Sequence, residues 1–441
     1  MLSQIIFTVI LISAIALFTY NVRKISRNIK LGRPLDRTDH KGMRWKNMLL
    51  VAIGQSKMVR RPLAGILHVF VYAGFIIINI EVIEILIDGI TGKDRVFSFL
   101  GVYYTMLISA FEFLAVAVML GCATFLVRRN IGRLKRFWSK EMTAWPRTDA
   151  NIILITEILL MSAFLILDAS GTVYSRHFAP GGLSDGFPVS NLLTPMLKGI
   201  SLPGLLLINR FCWWFHIIGI LAFLNYVPYS KHFHIVLSFP NVYYSNLQPK
   251  GGFTNLPSVT KEIKMMLNPD AAPSEAAPPA PERFGAKDVF DLSWKQLMDA
   301  YSCTECGRCT SSCPANLTGK LLSPRKIMMD TRDRLEEAGA NISKNGKFVD
   351  DGKALLGDYI KPEELWACTS CNACTEECPV NIDPLSIIVE MRRYLMMEQS
   401  AAPPALAQMC SNIENNGAPW QFPASDRLNW AAPLLSPKAG I

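Results

Sequence analysis

CTECGRCTSSCP at residues 303–314 and CTSCNACTEECP at residues 368–379 hold eight of the chain's eleven cysteines. Both read C-x2-C-x2-C-x3-C-P, the spacing that seats cubane iron–sulfur clusters. Three cysteines at two-residue intervals wrap a short loop around three irons of one cube. The loop's amides can then point at the sulfides. The fourth cysteine, three residues on, has turned away and reaches the other cube. Proline keeps the loop from running on into a helix on that side. This predicts two [4Fe–4S] clusters. One is held by Cys303, Cys306, Cys309 and Cys378, the other by Cys368, Cys371, Cys374 and Cys313. Zinc is the competing metal for C-x2-C pairs. It needs four ligands, commonly two separated pairs, whereas here two complete runs of four are each closed by proline. Cys122, Cys212 and Cys410 stand apart from both runs.

Around the motifs, SPRKIMMDTRDRLEEAG (323–339) reads as a helix and NISKNGKFVDDGKALLG (341–357) as hairpin-like turns. IDPLSIIVEMRRYLMME (382–398) has helical periodicity, with Asp383 as its cap and Pro384 at its start. Clusters seated between helices fit an α-helical ferredoxin. Upstream, NPDAAPSEAAPPAP (268–281) is a Pro/Ala linker, preceded by a short helical stretch near 258–267. The tail from 401 is again rich in Ala and Pro and is expected to be extended.

Hydropathy divides the 441 residues sharply. Half are hydrophobic and 18% charged, against a usual share of about 25%. The apolar runs lie in the first 240 residues. Five of them, roughly 3–20, 62–87, 100–127, 151–169 and 205–227, reach the length of about 20 residues that crosses a bilayer as helix. The net charge of +9 does not indicate nucleic acid, because the excess base flanks the apolar runs. Residues 21–61 hold twelve Lys/Arg against two Asp/Glu, and residues 128–149 hold seven against two. The loops at 88–99 and 170–204 hold two basic residues each. The positive-inside rule puts the basic loops in the cytoplasm. The N-terminus is then outside and the cysteine-rich half cytoplasmic. In that reducing compartment its thiols are free for metal. The first run lacks a basic leader and a small-residue cleavage site, so it reads as a retained helix.

The fold class that follows is mainly α: a five-helix transmembrane bundle followed by a cytoplasmic α-helical ferredoxin domain. Its parts are the five-helix bundle at 1–240, a connector and linker at 241–285, a dicluster domain at 286–400 and the tail at 401–441. Localisation is a multi-pass protein of the inner, cytoplasmic membrane.

An apolar helix tolerates a lone histidine poorly without a partner. His68 lies two turns into the second span, and His216 and His234 lie in and just beyond the fifth. If Pro228 leaves that helix straight, His216 and His234 share a face, five turns and about 27 Å apart, and His232 points nearly the opposite way. His68 and His234, both toward the cytoplasmic side, form the expected pair for one haem b. The alternative is a hydrogen bond from His68 to a neighbouring helix. His216 could ligate a second haem, with His177 of the outer loop as the remaining partner. Glu112 and Glu157 lie deep in the third and fourth spans and are candidates for quinone or proton chemistry, or for hydrogen bonds inside the bundle. Glu81, Glu84 and Asp168 are placed near the outer ends, where water reaches.

WACTSCNACTEECPVNIDPLSIIVEMRRYL (366–395) resembles the α-helical dicluster ferredoxin of heterodisulfide reductase and, more distantly, the iron–sulfur subunit of succinate dehydrogenase. GILHVFVYAGF (65–75) and FHIIGILAFLNYVPYSKHFHI (215–235) resemble the cytochrome b, or gamma, subunit of respiratory nitrate reductase. They are also similar to the membrane subunit of heterodisulfide reductase. That resemblance implies two haems on four histidines. His68, His216 and His234 match three of the positions; the fourth is Ile78. Fusions of the two modules are found in quinone-interacting membrane oxidoreductases. The resemblance implies an electron-transfer protein working between menaquinone or another quinone and a soluble partner. That partner is a CCG-domain iron–sulfur subunit or an electron-transfer flavoprotein, and no nucleic acid is involved. A haem-free membrane anchor for a cytoplasmic redox complex is the alternative class; an ion-pumping subunit is a third.

Overall fold

The computed structural model describes residues 1–178, 187–268 and 283–435. It is built of helices, with only isolated bridges and no extended strand among the described residues. Five helices are long and apolar enough to cross a membrane. They are α1 (Leu2–Ile29), α2 (Pro62–Thr91), α3 (Val102–Leu126, continued by a widened turn to Ile131), α4 (Ala144–Arg176) and α5 (Leu202–Tyr226). Each outlasts its apolar run. Hydropathy marks only the stretch that must avoid water, whereas backbone hydrogen bonding continues into polar sequence. The 28 residues of α1 reach about 42 Å.

The bundle packs in chain order, α2 on α3 and α3 on α4, with α5 against α4 and α1. Ile78, Tyr104, Ile108, Phe111, Val118 and Phe164 form its main core. Large apolar side chains on the outside, such as Ile5, Val9, Ile12, Leu63, Phe113 and Leu207, are exposed. An apolar exterior on long helices is what a lipid solvent permits.

After α5 the chain does not run straight on. A 3-10 turn over Val227–Tyr229 leads to Ser230, which is extended at φ −116° and ψ 153°; a second 3-10 turn, Lys231–Phe233, then starts α6 (His234–Tyr243). Pro228 and Ser230 thus reset the helical phase, and the five-turn register between His216 and His234 does not hold.

The cysteine region contributes α7 (Trp294–Ser302), α8 (Pro324–Asn345) and α9 (Pro384–Met397). The α8 helix swallows Asn341–Asn345, expected as turns, and ends on Gly346 at φ 77°. Asp383 Oδ1 accepts from Ser386 N at 3.2 Å, the expected cap of α9. The linker expected at 268–281 lies, beyond Asn268, outside the described residues. The short helix before it is Pro257–Leu267. The tail is not extended throughout, because α10 (Pro404–Asn416) forms within it. Its Ala-rich segment PALAQM is good helix-forming sequence once Pro404 opens the first turn.

The chain divides into two compact units, Met1–Phe253 with Asp288–Ile388, and Thr254–Lys287 with Val389–Ile441. In the second, Ala286 N donates to Glu390 O at 2.9 Å and Phe284 N to Glu398 Oε1 at 2.7 Å. The first unit contains the five long helices and both cysteine motifs.

Candidate redox site

The two cysteine loops adopt one backbone design. Glu305 and Gly307 have φ of 55° and 72°; Ser370 and Asn372, at the matching places in the second motif, have 55° and 60°. Left-handed residues on both sides of the second cysteine curl the loop so that successive N–H groups face inward, the arrangement that binds anions. Only Gly307 adopts this conformation without steric cost. A short helical turn follows each loop, Arg308–Ser311 and Ala373–Glu377. Pro314 occupies the first position of a further turn, Pro314–Leu317, where no N–H is needed.

Cys303, Cys306, Cys309 and Cys378 line one cavity together with Cys374, Arg325 and Met328. This is the set expected for the first cluster, with Cys378 arriving from the second motif. Cys374 lies within electrostatic reach of Cys368. Ser370 N and Ile382 N donate to the sulfurs of Cys368 and Cys378 at 3.4 and 3.3 Å. Burial first, then Glu305 and Cys306 beside Cys303 and Cys306 beside Cys378, pushes the Cys303 and Cys378 thiols up to about 12. Such sulfurs become thiolates only where a metal replaces the proton. Among the described residues, no three His, Cys, Asp or Glu converge tightly enough to grip one metal ion.

The cysteine loops sit on the end of the bundle that carries the basic loops, and buried charge holds them there. Arg308 donates to the carbonyls of Lys57 and Met58 at 3.1 and 3.0 Å. Lys57 Nζ returns to Asn381 Oδ1 at 2.9 Å and Thr375 O at 3.2 Å. Burial brings its ammonium down to about 8. The fully buried Arg325 pairs with Glu141 at 2.7 Å and donates to Arg136 O at 2.6 Å. Lys231 bonds Glu305, between Cys303 and Cys306, and Arg332 bonds the same carboxylate at 2.8 Å. Asn28 of α1 donates to Tyr301 OH at 3.0 Å. It presses on Gly339 of α8, where a Cβ would lie 2.4 Å from the asparagine side chain. Of these basic residues only Lys57 and Arg136 lie in the loops that set the topology, and the sequence singles out none of them. A charge run by itself does not show which cation has an acidic partner more than a hundred residues away.

His68 and His234 face each other at the same end of the bundle. Their ring centroids are 6.5 Å apart and tilted by 44°. Nδ1 of His234 contacts Lys231 O at 3.1 Å, and Nδ1 of His68 is buried without a partner. Two imidazoles on opposite sides of one iron stand roughly 6 Å apart, from about 2 Å per metal–nitrogen bond and about 1 Å from nitrogen to ring centre. The observed spacing fits a bis-histidine iron. His232, expected to point away, instead lies 5.4 Å from His234 and stacks toward Phe223, at 5.4 Å. Both residues follow Ser230, His232 within the 3-10 turn Lys231–Phe233 and His234 at the start of α6. Burial, then His234 and His68, holds the His232 pKa down to about 3, so its ring is neutral.

His216 is buried, with Nδ1 on Leu160 O at 2.9 Å, Nε2 unpartnered and Phe164 as its ring neighbour. His177 does not approach it. His177 is exposed, seventeen residues beyond Leu160 on the same run of chain, or about 25 Å away. Ile78, at the fourth position of the resemblance, is core.

Glu112 is fully buried and accepts from Val189 N at 2.8 Å and Ser190 N at 3.2 Å, capping the helix Ser190–Leu197. Glu157 is half-buried in α4, within electrostatic reach of Cys122. Glu81, Glu84 and Asp168, expected to be hydrated, are buried at 8%, 2% and 2% exposure.

A 4Fe–4S dicluster domain model matches residues 302–382. Over 97% of its length the chain is 29% identical to the probable iron-sulfur-binding oxidoreductase FadF of Bacillus subtilis, covering 60% of that protein. It is 27% identical over 90% of its length to the EtfAB:quinone oxidoreductase of Syntrophomonas wolfei, covering 55%. Over 26% of its length it is 36% identical to one of the polypeptides of the ferredoxin/F420H2-dependent CoB-CoM heterodisulfide reductase of Methanosarcina acetivorans, covering 56%. The chain therefore spans less than two thirds of the length of each of these relatives. No solved structure matches it. What these comparisons and the fold together establish is a helical chain with five helices able to cross a membrane, carrying a 4Fe–4S dicluster domain.

Proposed function

We propose that this chain is a membrane electron conduit between the quinone pool and a soluble redox partner, through one haem b and two [4Fe–4S] clusters. The observation that carries the reading is the meeting of His68 and His234 beside the first cysteine loop. Arg308 of that loop lies within electrostatic reach of His68. Lys231, whose carbonyl contacts His234, is bonded to Glu305 between two cysteines of the loop.

On this reading His68 and His234 hold the haem, which supplies a one-electron carrier inside the bilayer. Lys231 O holds the His234 ring through Nδ1 and leaves Nε2 for the iron. Cys303, Cys306, Cys309 and Cys378 hold one cluster, and Cys368, Cys371, Cys374 and Cys313 the other. Cubes rather than zinc are favoured because each motif is a complete four-cysteine run closed by proline, within a match to a 4Fe–4S dicluster domain. The basic loops face the cytoplasm of an inner membrane, and the N-terminus faces outward. An electron-transfer flavoprotein is the soluble partner we favour, since the name of one relative joins EtfAB to quinone; a CCG-domain iron–sulfur subunit is the other candidate.

A reduced-minus-oxidised optical spectrum of the purified membrane protein tests this. A b-type band is expected in the parent and is lost in both His68→Ala and His234→Ala. A band surviving both substitutions refutes the ligand pair. No b-type band in the parent leaves the haem-free anchor as the function.

A further inference from the structure

Five carboxylates crowd the bundle far from the cysteine loops: Glu81, Glu84 and Asp88 on α2, Glu112 on α3 and Asp168 on α4. All are at least nine-tenths buried. Three are complete as anions, each accepting from two donors. Glu84 takes Phe97 N at 2.7 Å and Tyr104 OH at 3.0 Å. Asp88 takes Arg95 N at 2.7 Å and Val96 N at 3.0 Å. Glu112 takes Val189 N and Ser190 N.

The other two differ. Asp168 receives the Arg95 guanidinium on Oδ1 at 2.9 Å, while its Oδ2 is buried without a partner. Glu81 Oε2 is also buried without a partner. Thr172 Oγ1, one turn beyond Asp168, is a third such atom. The charged groups facing Glu81 are Asp168, Arg95, Glu84 and Asp88. Asp168 faces Arg95, Glu112 and Glu84, and Arg95 also faces Tyr104 and Asp94. Arg95 has one positive charge and gives it to Asp168. An ionised Glu81 would hold Oε2 buried without a donor and would face a cation already given to Asp168, which is costly. A protonated Glu81 needs only an acceptor for its O–H, and Asp168 Oδ2 is an acceptor lacking a donor. Two carboxyls that share a site hold a proton between them for the same reason.

We propose that Glu81 and Asp168 form a proton-exchange site in which one proton is shared between the two carboxyls. Its use rests on the quinone reading above, with hydroquinone as the reductant. Oxidation of a hydroquinone breaks two O–H bonds and releases two electrons and two protons. The electrons pass to the carriers at the basic end. One proton forms an O–H bond on the pair as the resident proton leaves to water, so the charge of the pair is unchanged; the second proton follows the same route. Protons and electrons thus leave by opposite ends of the bundle.

Infrared spectroscopy of the full-length protein reads the shared proton directly. At neutral pH the parent shows a carbonyl stretch of a protonated carboxylic acid that shifts in D2O. Glu81→Gln, whose amide can still donate to Asp168, removes it. Reduction of the clusters by dithionite stays as in the parent, while quinol-dependent reduction slows about a hundred-fold. An unchanged carboxylic-acid band in Glu81→Gln overturns the shared proton. A lost band with parental quinol turnover overturns the exchange role. If the parent itself shows no quinol-dependent reduction, the proposed function fails while the band still decides the proton. Asp168→Glu, which keeps the counter-ion of Arg95, retains the band if the pairing is right; its loss there counts against the pair.

Discussion

Replacing Lys231 with methionine should loosen the joint between the bundle and the first cysteine loop. Lys231 Nζ bonds Glu305 and Pro146 O and stands 3.8 Å from Asp149. Its side chain is 9% exposed and that of Glu305 3%. Burial alone would raise the Glu305 pKa, but Lys231 and then Arg332 outweigh it and keep the carboxylate ionised below its ordinary range. The four charges Lys231, Arg332, Glu305 and Asp149 sum to zero, and methionine leaves the group at −1. Removing one partner of a buried pair costs about 3–5 kcal/mol. Both anions keep other donors here: Glu305 has Arg332, while Asp149 has Tyr226 OH at 2.5 Å and Ser230 Oγ at 2.6 Å. The lower end, about 3 kcal/mol, is therefore expected. The assay is urea-induced loss of the visible cluster absorbance in the parent, Lys231→Met, Glu305→Gln and the double variant. The double variant restores neutrality and should recover about 2 kcal/mol relative to the sum of the singles. Because the pair is buried, the difference should persist at high salt, where surface pairs are screened. Strictly additive losses, or a loss that disappears with salt, would sink the claim that this pair seats the loop.

Cys313→Ser should disturb the electron paramagnetic resonance signal of the second cluster and Cys378→Ser that of the first; each variant perturbing the cluster of its own motif would refute the crossed ligand sets. Arg325→Lys should destabilise the protein by roughly 2–4 kcal/mol, because a point charge cannot make both contacts of the buried fork to Glu141 and Arg136 O; an unchanged urea midpoint would count against that contact. Asp330 is pushed up from 3.8 to about 6, by burial first, against the pull of Lys326 and with Glu364 adding to the rise. A raised folded pKa means that its stabilising protonation is complete below the unfolded value and is lost as pH rises through about 6. Asp330→Asn should therefore match the parent in acid and exceed its thermal stability above pH 6; a constant difference across that range contradicts the assignment.

Much of this protein was legible in one dimension because the signals are local. An apolar run long enough for a bilayer declares its helix through composition alone, and cysteine spacing declares a cluster loop because its ligands lie within eleven residues. The matching left-handed residues at Glu305, Gly307, Ser370 and Asn372 show that a spacing pattern encodes a backbone shape. Register failed where the helix failed. Counting turns through Pro228 puts His234 on the face of His216, and the extended Ser230 breaks that register. For Glu112 the sequence leaves quinone or proton chemistry and a hydrogen bond inside the bundle both open, and the structure supplies the bonds, from the N–H groups of Val189 and Ser190.

The sequence by itself determined which segments avoid water and where the two cysteine loops lie, since both depend on residue type and short-range spacing. Only the tertiary structure decided which charges meet. Lys57 lies in a basic loop and nothing in the sequence marks Arg308, Arg325 or Lys231, yet their side chains lie buried against partners brought in by other parts of the chain. The same holds for Glu81 and Asp168, 87 positions apart in the chain. Electrostatic pairing in a medium of low dielectric depends on distances of a few ångströms, and packing sets those distances, whatever the separation along the chain.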